Sequence, residues 1–332
     1  METDQTSSKP RSSRPRKWTG RVLIGLAVIV VAIGAFELAL RCIGLGKPVL
    51  IQRDQAAGYI LEPNQNLTRF GKHIRTNSLG MRSDELPASK SAGVFRLLIV
   101  GDSYAYGTTR VDQSQIFAEL LQRELPQQIH RDVEVLNASA GGWAISNEVG
   151  YVRSRGLFDA DMVLLVLNQG DPTQEFEQYY PNDSLSYTLD HHPVFALQEF
   201  WDHYLSPKLF PETVAPSHIA TPSEEQQTET QNLGYLDELL KMTRTAKTPL
   251  AVVYISIPTS PESPTRLIAW CADNHVPMID LAPVTQHWPA AEVLNPDQAH
   301  FNTKGNRRIA DQLEKTWPIV MPSTGNSAQF AN

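Results

Sequence analysis

The chain has 332 residues, of which 41% are hydrophobic and 20% charged, so it is long enough for one large globular domain with appendages. Its net charge of −7 at pH 7 argues against a nucleic-acid partner, which would require a basic face. The sequence contains no glycine-rich phosphate loop of the Walker type. The two cysteines, Cys42 and Cys271, lie beside an apolar segment and in a late helical pattern, so we expect no disulfide.

The N-terminal part of the chain has the pattern of a membrane anchor. Residues 1–21 are polar and basic, and residues 22–36 are unbroken apolar or glycine, with a largely apolar continuation. A membrane-spanning helix needs about 20 mainly apolar residues. Glu37 and Arg41 are four residues apart, so on a helix they can pair near the far interface. We predict a basic cytoplasmic leader over residues 1–21, a transmembrane anchor over 22–45 and an extracytoplasmic remainder in the cell envelope.

A cleaved signal peptide is the alternative interpretation, because it also has a basic start and an apolar core. The candidate cleavage sites are poor. Ile33-Gly34-Ala35 has an isoleucine at the outer position, and an arginine directly precedes Cys42 at the only candidate lipoprotein site. The sequence therefore favours an uncleaved anchor.

Strand-like apolar runs alternate with helical patterns in the rest of the chain. The predicted strands cover residues 95–100, 133–136, 162–167, 250–257 and 276–279. The predicted helices cover residues 116–125, 145–155, 232–246, 266–274 and 303–317, with Thr303 as the N-cap of the last. This alternation predicts a parallel sheet covered by helices on both faces.

Three stretches interrupt the alternation. Residues 46–92 are expected to form a membrane-proximal segment of short strands and turns, in which Arg82 is structural rather than a ligand for an anionic or sugar group. Residues 172–231 are predicted to be an insertion after the third strand, either a lid or substrate platform or a solvated excursion with short helices. Residues 319–332 have the composition of a disordered tail.

The insertion carries several histidines. Asp190-His191-His192 and His203 do not match the spacing of a known metal site, so we expect surface histidines and no bound metal.

Two polar motifs carry the chemistry. The first predicted strand ends in Gly101-Asp102-Ser103, which places a serine hydroxyl at the carboxyl edge of the sheet, where ligands bind in open α/β folds. Far downstream, Asp297 and His300 lie three residues apart, just before the last helix. A serine needs a base to take its proton, and imidazole suits that task near neutral pH. We predict Ser103 as nucleophile, His300 as base and Asp297 as the residue that orients the imidazole.

These motifs resemble those of the SGNH (GDSL-type) hydrolase family. Gly101-Asp102-Ser103 matches its first block and Asp297-x-x-His300 its last, and the resemblance extends from about residue 95 to about residue 317. An α/β-hydrolase is a weaker match, because that fold has Gly-x-Ser-x-Gly around its nucleophile. The resemblance implies a flavodoxin-like three-layer α/β sandwich with a parallel sheet over residues 93–318.

The resemblance also implies an oxyanion hole. Its first donor would be the Ser103 backbone N–H, and its second the N–H of Gly142, with Gly141 as the alternative. Asp102 is expected to have a structural role at the turn.

The third family donor, an asparagine after the third strand, has no direct counterpart. Depending on the alignment, Gly170 or Asp171 occupies its place, and an ionised Asp171 would repel the oxyanion. Asn168 or Gln169 could substitute for it from the strand end. If Asp171 holds the place, we expect its carboxyl to be protonated or turned toward a backbone N–H.

We therefore expect a membrane-anchored serine esterase that hydrolyses O-acyl esters, chiefly O-acetyl esters, without a cofactor. By resemblance, its substrate partner would be an acylated small molecule or an envelope polysaccharide or glycan. The alternatives are an O-acyltransferase that uses a sugar hydroxyl as acceptor, and a catalytically weak binding or assembly protein that keeps the fold.

Overall fold

The computed structural model describes residues 16–176, 178, 189–210 and 221–320. The helices are α1 (Arg16–Cys42), α2 (Ser103–Tyr106), α3 (Phe117–Ile129), α4 (Ile145–Arg155), α5 (Ala196–Glu199), α6 (Ser206–Leu209), α7 (Pro222–Ala246), α8 (Thr265–Asp273), α9 (Ala282–Thr285), α10 (Ala290–Val293) and α11 (Thr303–Val320). The strands are β1 (Ile51–Asp54), β2 (Gly58–Leu61), β3 (Asn66–Arg69), β4 (Lys72–Arg75), β5 (Phe95–Gly101), β6 (Val133–Ser139), β7 (Met162–Asn168), β8 (Leu250–Ile255) and β9 (Met278–Asp280). Short 3-10 helices cover Gln113–Gln115 and Asp171–Thr173, and a π-helical segment, Phe200–Leu205, joins α5 to α6.

A five-stranded parallel sheet forms the centre of the domain, in the order β6-β5-β7-β8-β9. Alternate residues of β5 face opposite layers: Leu97 and Ile99 pack with α3 and α11, whereas Leu98 and Val100 pack with α4, α7 and α8. This is the flavodoxin-like strand order, and the predicted three-layer parallel α/β fold is confirmed. From β5 the chain adds β6 on one side, and then returns to add β7 on the other side. The carboxyl end of β5 therefore lies at a topological switch point, where open α/β folds bind ligands.

Several element boundaries differ from the sequence prediction. The helix predicted over residues 232–246 begins at Pro222, where Thr221 and Glu224 form a capping box. Its first turns are polar and carry little apolar periodicity, which explains the late predicted start. Asn302, not Thr303, caps α11, since its side chain accepts from the N–H groups of the next turn. His203, expected at the surface, is buried because the π-helical segment turns it inward.

The residues between α1 and the central sheet form two antiparallel hairpins, β1–β2 and β3–β4. The first hairpin packs directly on α4: the Trp143 indole donates to the Tyr59 carbonyl, and the Asn147 amide donates to the Ala57 carbonyl, both at 2.9 Å. Gly150 on α4 makes this packing possible, because a Cβ there would lie 2.0 Å from a backbone oxygen of the hairpin.

Arg82 is fully buried and holds the loop that follows α2. Its guanidinium donates to the carbonyls of Tyr106, Thr108 and Val111 at 2.6–2.7 Å, and to the Gln113 side chain. These are structural contacts to backbone acceptors, as expected for this arginine.

The N-terminal helix has a stretch, Thr19–Cys42, that is long and apolar enough to cross a membrane, with a mean hydropathy of 2.6 and exposed sides. At its C-terminal end, Glu37 and Arg41 pair at 2.6 Å, as predicted from their spacing. The same two side chains hold the insertion. Glu37 accepts from the N–H groups of Ala196 and Leu197, and Arg41 donates to the Val194 carbonyl.

A buried ion pair completes this junction. Arg69 on β3 and Glu199 on α5 are in contact, with side chains only 6% and 1% exposed. Glu199 also accepts from the Gly46 N–H at 2.6 Å, and Arg69 donates to the Gly44 carbonyl at 3.0 Å. This ion pair and its backbone contacts therefore connect three parts of the chain: the residues directly after α1, the second hairpin and the insertion.

Loss of this pair should release the insertion. Arg69→Ala leaves Glu199 buried without its charge partner, which typically costs about 3–5 kcal/mol. We expect faster amide hydrogen exchange over residues 194–210 in the full-length protein, with little change in the central sheet. Arg75→Ala is the matched control, because Arg75 lies in the same hairpin but pairs with Asp84 at the surface. Equal protection of residues 194–210 in both variants would contradict this account.

Candidate active site

Ser103 is the first residue of α2, directly after the turn that ends β5. Asp102 caps this helix, because its carboxylate accepts from the Tyr104 N–H at 2.9 Å. The turn needs glycine at position 101, where a Cβ would lie 2.8 Å from both the Ala105 side chain and a β7 carbonyl. The Ser103 hydroxyl is thereby fixed at the carboxyl edge of the sheet.

The structure brings together the three residues expected to form a triad. His300 Nε2 lies 3.1 Å from Ser103 Oγ, although the two residues are 197 positions apart. His300 Nδ1 lies 3.3 Å from Asp297 Oδ2. The order serine, imidazole, carboxylate is the arrangement that activates a hydroxyl nucleophile.

A tight loop holds the histidine and the aspartate in place. Asp297 Oδ1 accepts from the N–H groups of Ala299 and His300, both at 3.0 Å, and the Tyr104 hydroxyl donates to the Ala299 carbonyl at 2.9 Å. Partial burial opposes ionisation of Asp297, but these N–H donors and the nearby imidazole outweigh it and lower the pKa of its carboxyl. Asp297 is therefore an anion at neutral pH.

The site is open to solvent. The side chains of His300 and Asp297 are 30% and 34% exposed, and the exposed Arg110 lies 3.9 Å from Asp297. A cleft of about 360 Å³ lies elsewhere, between β6 and residues 84–87.

Asp102 is the second residue that contacts the Ser103 hydroxyl. Its Oδ2 lies 3.2 Å from Ser103 Oγ and also accepts from the Asn168 amide. Burial raises the pKa of Asp102, and the donors around it limit that rise. The expected structural role at the turn thus extends to a direct contact with the serine hydroxyl.

The structure gives Asn168 contacts other than those of an oxyanion donor. Its amide donates to Asp102 and, at 3.2 Å, to Asp171 Oδ1, because these buried carboxyls attract both of its protons. Gln169 is paired with the Tyr104 hydroxyl.

Asp171 is buried and turned toward the end of β7, where its Oδ2 accepts from the Asn168 backbone N–H at 2.6 Å. Burial and the neighbouring Asp102 raise the pKa of Asp171 well above its ordinary value. Gly170, the other candidate for the place of the family asparagine, has no side-chain donor, and its φ of −83° is one that any residue can adopt.

Glu148 on α4 is a buried carboxyl that the sequence analysis missed. It is completely buried, and neither of its oxygens has a hydrogen-bond partner among the described residues. Burial, followed by the charges of Asp171 and Asp102, holds the pKa of Glu148 well above its ordinary value. In the sequence it looks like a polar position of an amphipathic helix, so no local signal indicates its burial.

The loop at Gly141 and Gly142 lies beside the nucleophile. A Cβ on Gly141 would be 4.0 Å from that of Ser103. The Tyr59 hydroxyl donates to the Gly141 carbonyl at 2.5 Å, and the Gln174 amide donates to the Gly142 carbonyl at 2.7 Å. Within the described residues, no protein acceptor takes the N–H of Ser103, Gly141 or Gly142.

Residues 97–313 match the model of a family described as GDSL-like Lipase/Acylhydrolase. No curated protein matches the chain. Similar solved structures include TesA (18% identity, TM-score 0.40, covering 68% of this chain and 98% of that one) and the psychrotrophic esterase EstA from Pseudoalteromonas sp. (16%, 0.39, 67% and 96%). A further one is Axe2, an acetylxylan esterase from Geobacillus stearothermophilus (12%, 0.41, 67% and 93%).

The raised pKa of Glu148 makes folding stability depend on pH. The folded state holds this proton to higher pH than the unfolded state, so its contribution is complete below the ordinary pKa and is lost as pH rises through the folded pKa. Glu148→Gln should be more stable than the wild type at about pH 8. Its free energy of unfolding should also change less with pH than that of the wild type, by up to about 1.4 kcal/mol per pH unit. Denaturant unfolding between about pH 5 and about pH 8 measures this. Glu225→Gln, at an exposed position of α7, is the control. An unchanged slope in Glu148→Gln would refute the assignment.

Proposed function

Because the chain belongs to the GDSL-like lipase/acylhydrolase family and is a serine hydrolase acting on esters, we propose that Ser103, His300 and Asp297 are its catalytic triad. The observation that carries the proposal is the 3.1 Å contact between His300 Nε2 and Ser103 Oγ, with Asp297 on the other ring nitrogen. Both ring nitrogens then have the partners that general-base catalysis requires.

The reaction follows from this geometry. Ser103 Oγ attacks the acyl carbon while its proton passes to His300 Nε2, and the ionised Asp297 stabilises the imidazolium. The tetrahedral intermediate collapses as His300 returns the proton to the departing alcohol, which leaves an acyl-serine. Water then attacks the acyl carbon with His300 again as base, and the carboxylic acid and the free serine are released.

The proposed oxyanion hole consists of backbone groups. Its donors are the N–H of Ser103 and the N–H of Gly142 or Gly141, which have no protein acceptor within the described residues. The contacts of the Asn168 amide with Asp102 and Asp171 support a positioning role for it, rather than that of a third donor. A hole with one donor fewer stabilises the oxyanion less, since one donor is worth about 2.7–4 kcal/mol of barrier.

We propose O-acetyl or similarly short O-acyl esters of a polysaccharide or glycan as substrates. The exposure of His300 and Asp297 supports this choice, because an acyl group that projects from a polymer can reach an open site. We further propose that α1 anchors the protein in a membrane with the catalytic domain outside the cytoplasm. The apolar Thr19–Cys42 stretch and the basic leader before it support that orientation.

Replacement of the triad residues should abolish most turnover. Ser103→Ala and His300→Ala should each lower kcat for an acetyl ester by at least about 10³-fold, because either change removes the activated nucleophile. Asp297→Asn should lower it by about 10²–10⁴-fold, since an amide favours the wrong imidazole tautomer. Acetate release by the full-length protein from an O-acetylated glycan and from 4-nitrophenyl acetate measures the effect.

His130→Ala, at an exposed histidine at the end of α3, is the matched control. A phosphonate probe that esterifies activated serines should label Ser103 in the wild type and in His130→Ala. Near wild-type acetate release by His300→Ala would eliminate His300 as the base. Labelling at another serine would eliminate Ser103 as the nucleophile.

The two roles considered for Asn168 predict different outcomes. If it positions Asp102, Asn168→Ala leaves buried carboxyl oxygens without a donor, so it should cost about 1–3 kcal/mol of stability and less than about tenfold in kcat. An oxyanion donor would instead lose about 10²–10³-fold in kcat with stability unchanged. Gln169→Ala is the control, because the Gln169 side chain bonds to the Tyr104 hydroxyl and to no other group among the described residues. Parallel measurements of kcat and of the free energy of unfolding distinguish the roles.

A further inference from the structure

We propose that residues 194–210, here called the interfacial segment, lie on the surface of the lipid bilayer at headgroup level, beside the point where α1 leaves the membrane. The segment consists of α5, the π-helical segment and α6 with their flanking residues. This inference rests on the proposed membrane anchor, and it assigns part of the insertion to the membrane rather than to the substrate.

The contacts with α1 set the depth of the segment. The Phe200 ring packs edge-to-face on Phe36 of α1, with ring centroids 5.6 Å apart. Phe36 lies six residues before Cys42, about 9 Å along the helix at 1.5 Å per residue. The hydrocarbon core takes about 20 residues of a spanning helix, fewer than the 24 of Thr19–Cys42, so Phe36 lies inside the membrane boundary. Phe200 therefore reaches the edge of the hydrocarbon core.

The outer side of the segment carries large apolar side chains that are exposed in the described part of the chain. They are exposed by about half or more and comprise Val194, Phe195, Trp201, Leu209 and Phe210. The inner side, by contrast, is buried: Ala196 packs against Leu40 and Leu45, and Glu199 makes the buried ion pair with Arg69. The segment is thus amphipathic, with aromatic residues of the kind that concentrate at membrane–water interfaces.

Charged residues limit how deeply the segment can sit. Asp202 and Lys208 are exposed on the same stretch as Trp201 and Leu209. A carboxylate is costly in hydrocarbon but not among headgroups, and a lysine can extend its ammonium group to the water layer. The mixture of aromatic and charged side chains suits the headgroup level.

A lipid surface accounts for this face better than a protein partner does. Phe36 is itself 45% exposed, so the uncovered surface of the interfacial segment continues directly into the lipid-facing surface of α1. Contact of Arg41 with the Val194 carbonyl and of Glu37 with two N–H groups of α5 fixes the segment against the helix end. The segment is therefore held against the C-terminal end of α1, at the level where this helix leaves the membrane.

Spin labels in the full-length protein test the placement. In lipid nanodiscs, Trp201→Cys and Phe195→Cys are labelled in a Cys42→Ser background, in which the remaining Cys271 is buried. Power saturation compares collisions with oxygen, which concentrates in lipid, against those with a water-soluble nickel chelate. We expect an oxygen-to-nickel ratio several-fold higher at positions 195 and 201 than at Ile268→Cys, an exposed apolar position on α8.

Val30→Cys, in the middle of α1, separates this inference from the anchor on which it rests. If Val30 reports lipid and positions 195 and 201 match Ile268, the interfacial segment is in water and the inference is wrong while the anchor stands. If Val30 also reports water, the anchor itself is wrong. Labels at 195 and 201 shielded from both reagents would mean a protein partner and would equally overturn the lipid contact. Reaction of Ile268→Cys with a membrane-impermeant maleimide in intact cells gives the side of the membrane, and protection there would contradict the proposed orientation.

Discussion

The geometry of the site depends on the hydrogen bonds that the buried carboxyl group of Asp102 accepts. This group accepts from the Tyr104 N–H, which starts α2 and places Ser103, and from the Asn168 amide, which ties the end of β7 to the end of β5. Two N–H donors, the Tyr104 backbone and the Asn168 amide, converge on this buried group, as a buried polar group requires. Burial and the charge of Asp102 hold the pKa of the neighbouring carboxyl, Asp171, well above its ordinary value.

The sequence allowed the central sheet and the residues of the candidate triad to be predicted, because both depend on local patterns. The continuous apolar runs of β5 and β7 indicate strands that are buried on both faces of the sheet. The predicted boundaries of α4 are those that the structure has. Local patterns could not predict the features that depend on long-range packing. The hydroxyl of Tyr59 reaches the Gly141 carbonyl across 82 positions, and Glu148 is buried only because α4 lies over the sheet.

The two hairpins between α1 and the central sheet are part of the structural support of the site. Tyr59 holds the glycine loop beside Ser103, and Arg82 holds the loop after α2 through three backbone carbonyls. Ile74 and Met81 are fully buried in the same apolar cluster as Leu98 of β5. Residues 46–92 therefore combine two tasks: they connect the N-terminal helix to the sheet and they brace two loops around the nucleophile.

The burial of Arg82 also constrains the order of folding. A ribosome delivers the chain from its N-terminus, so both hairpins emerge before β5, α2 and α4, the elements against which they pack. Until those elements arrive, the guanidinium has no carbonyls to bind, and Ile74 and Met81 have no core to enter. Newly made chains thus pass through a stage in which the apolar side chains of the hairpins are exposed. The contacts that brace the turn at Ser103 can therefore form only after α4 has been synthesised.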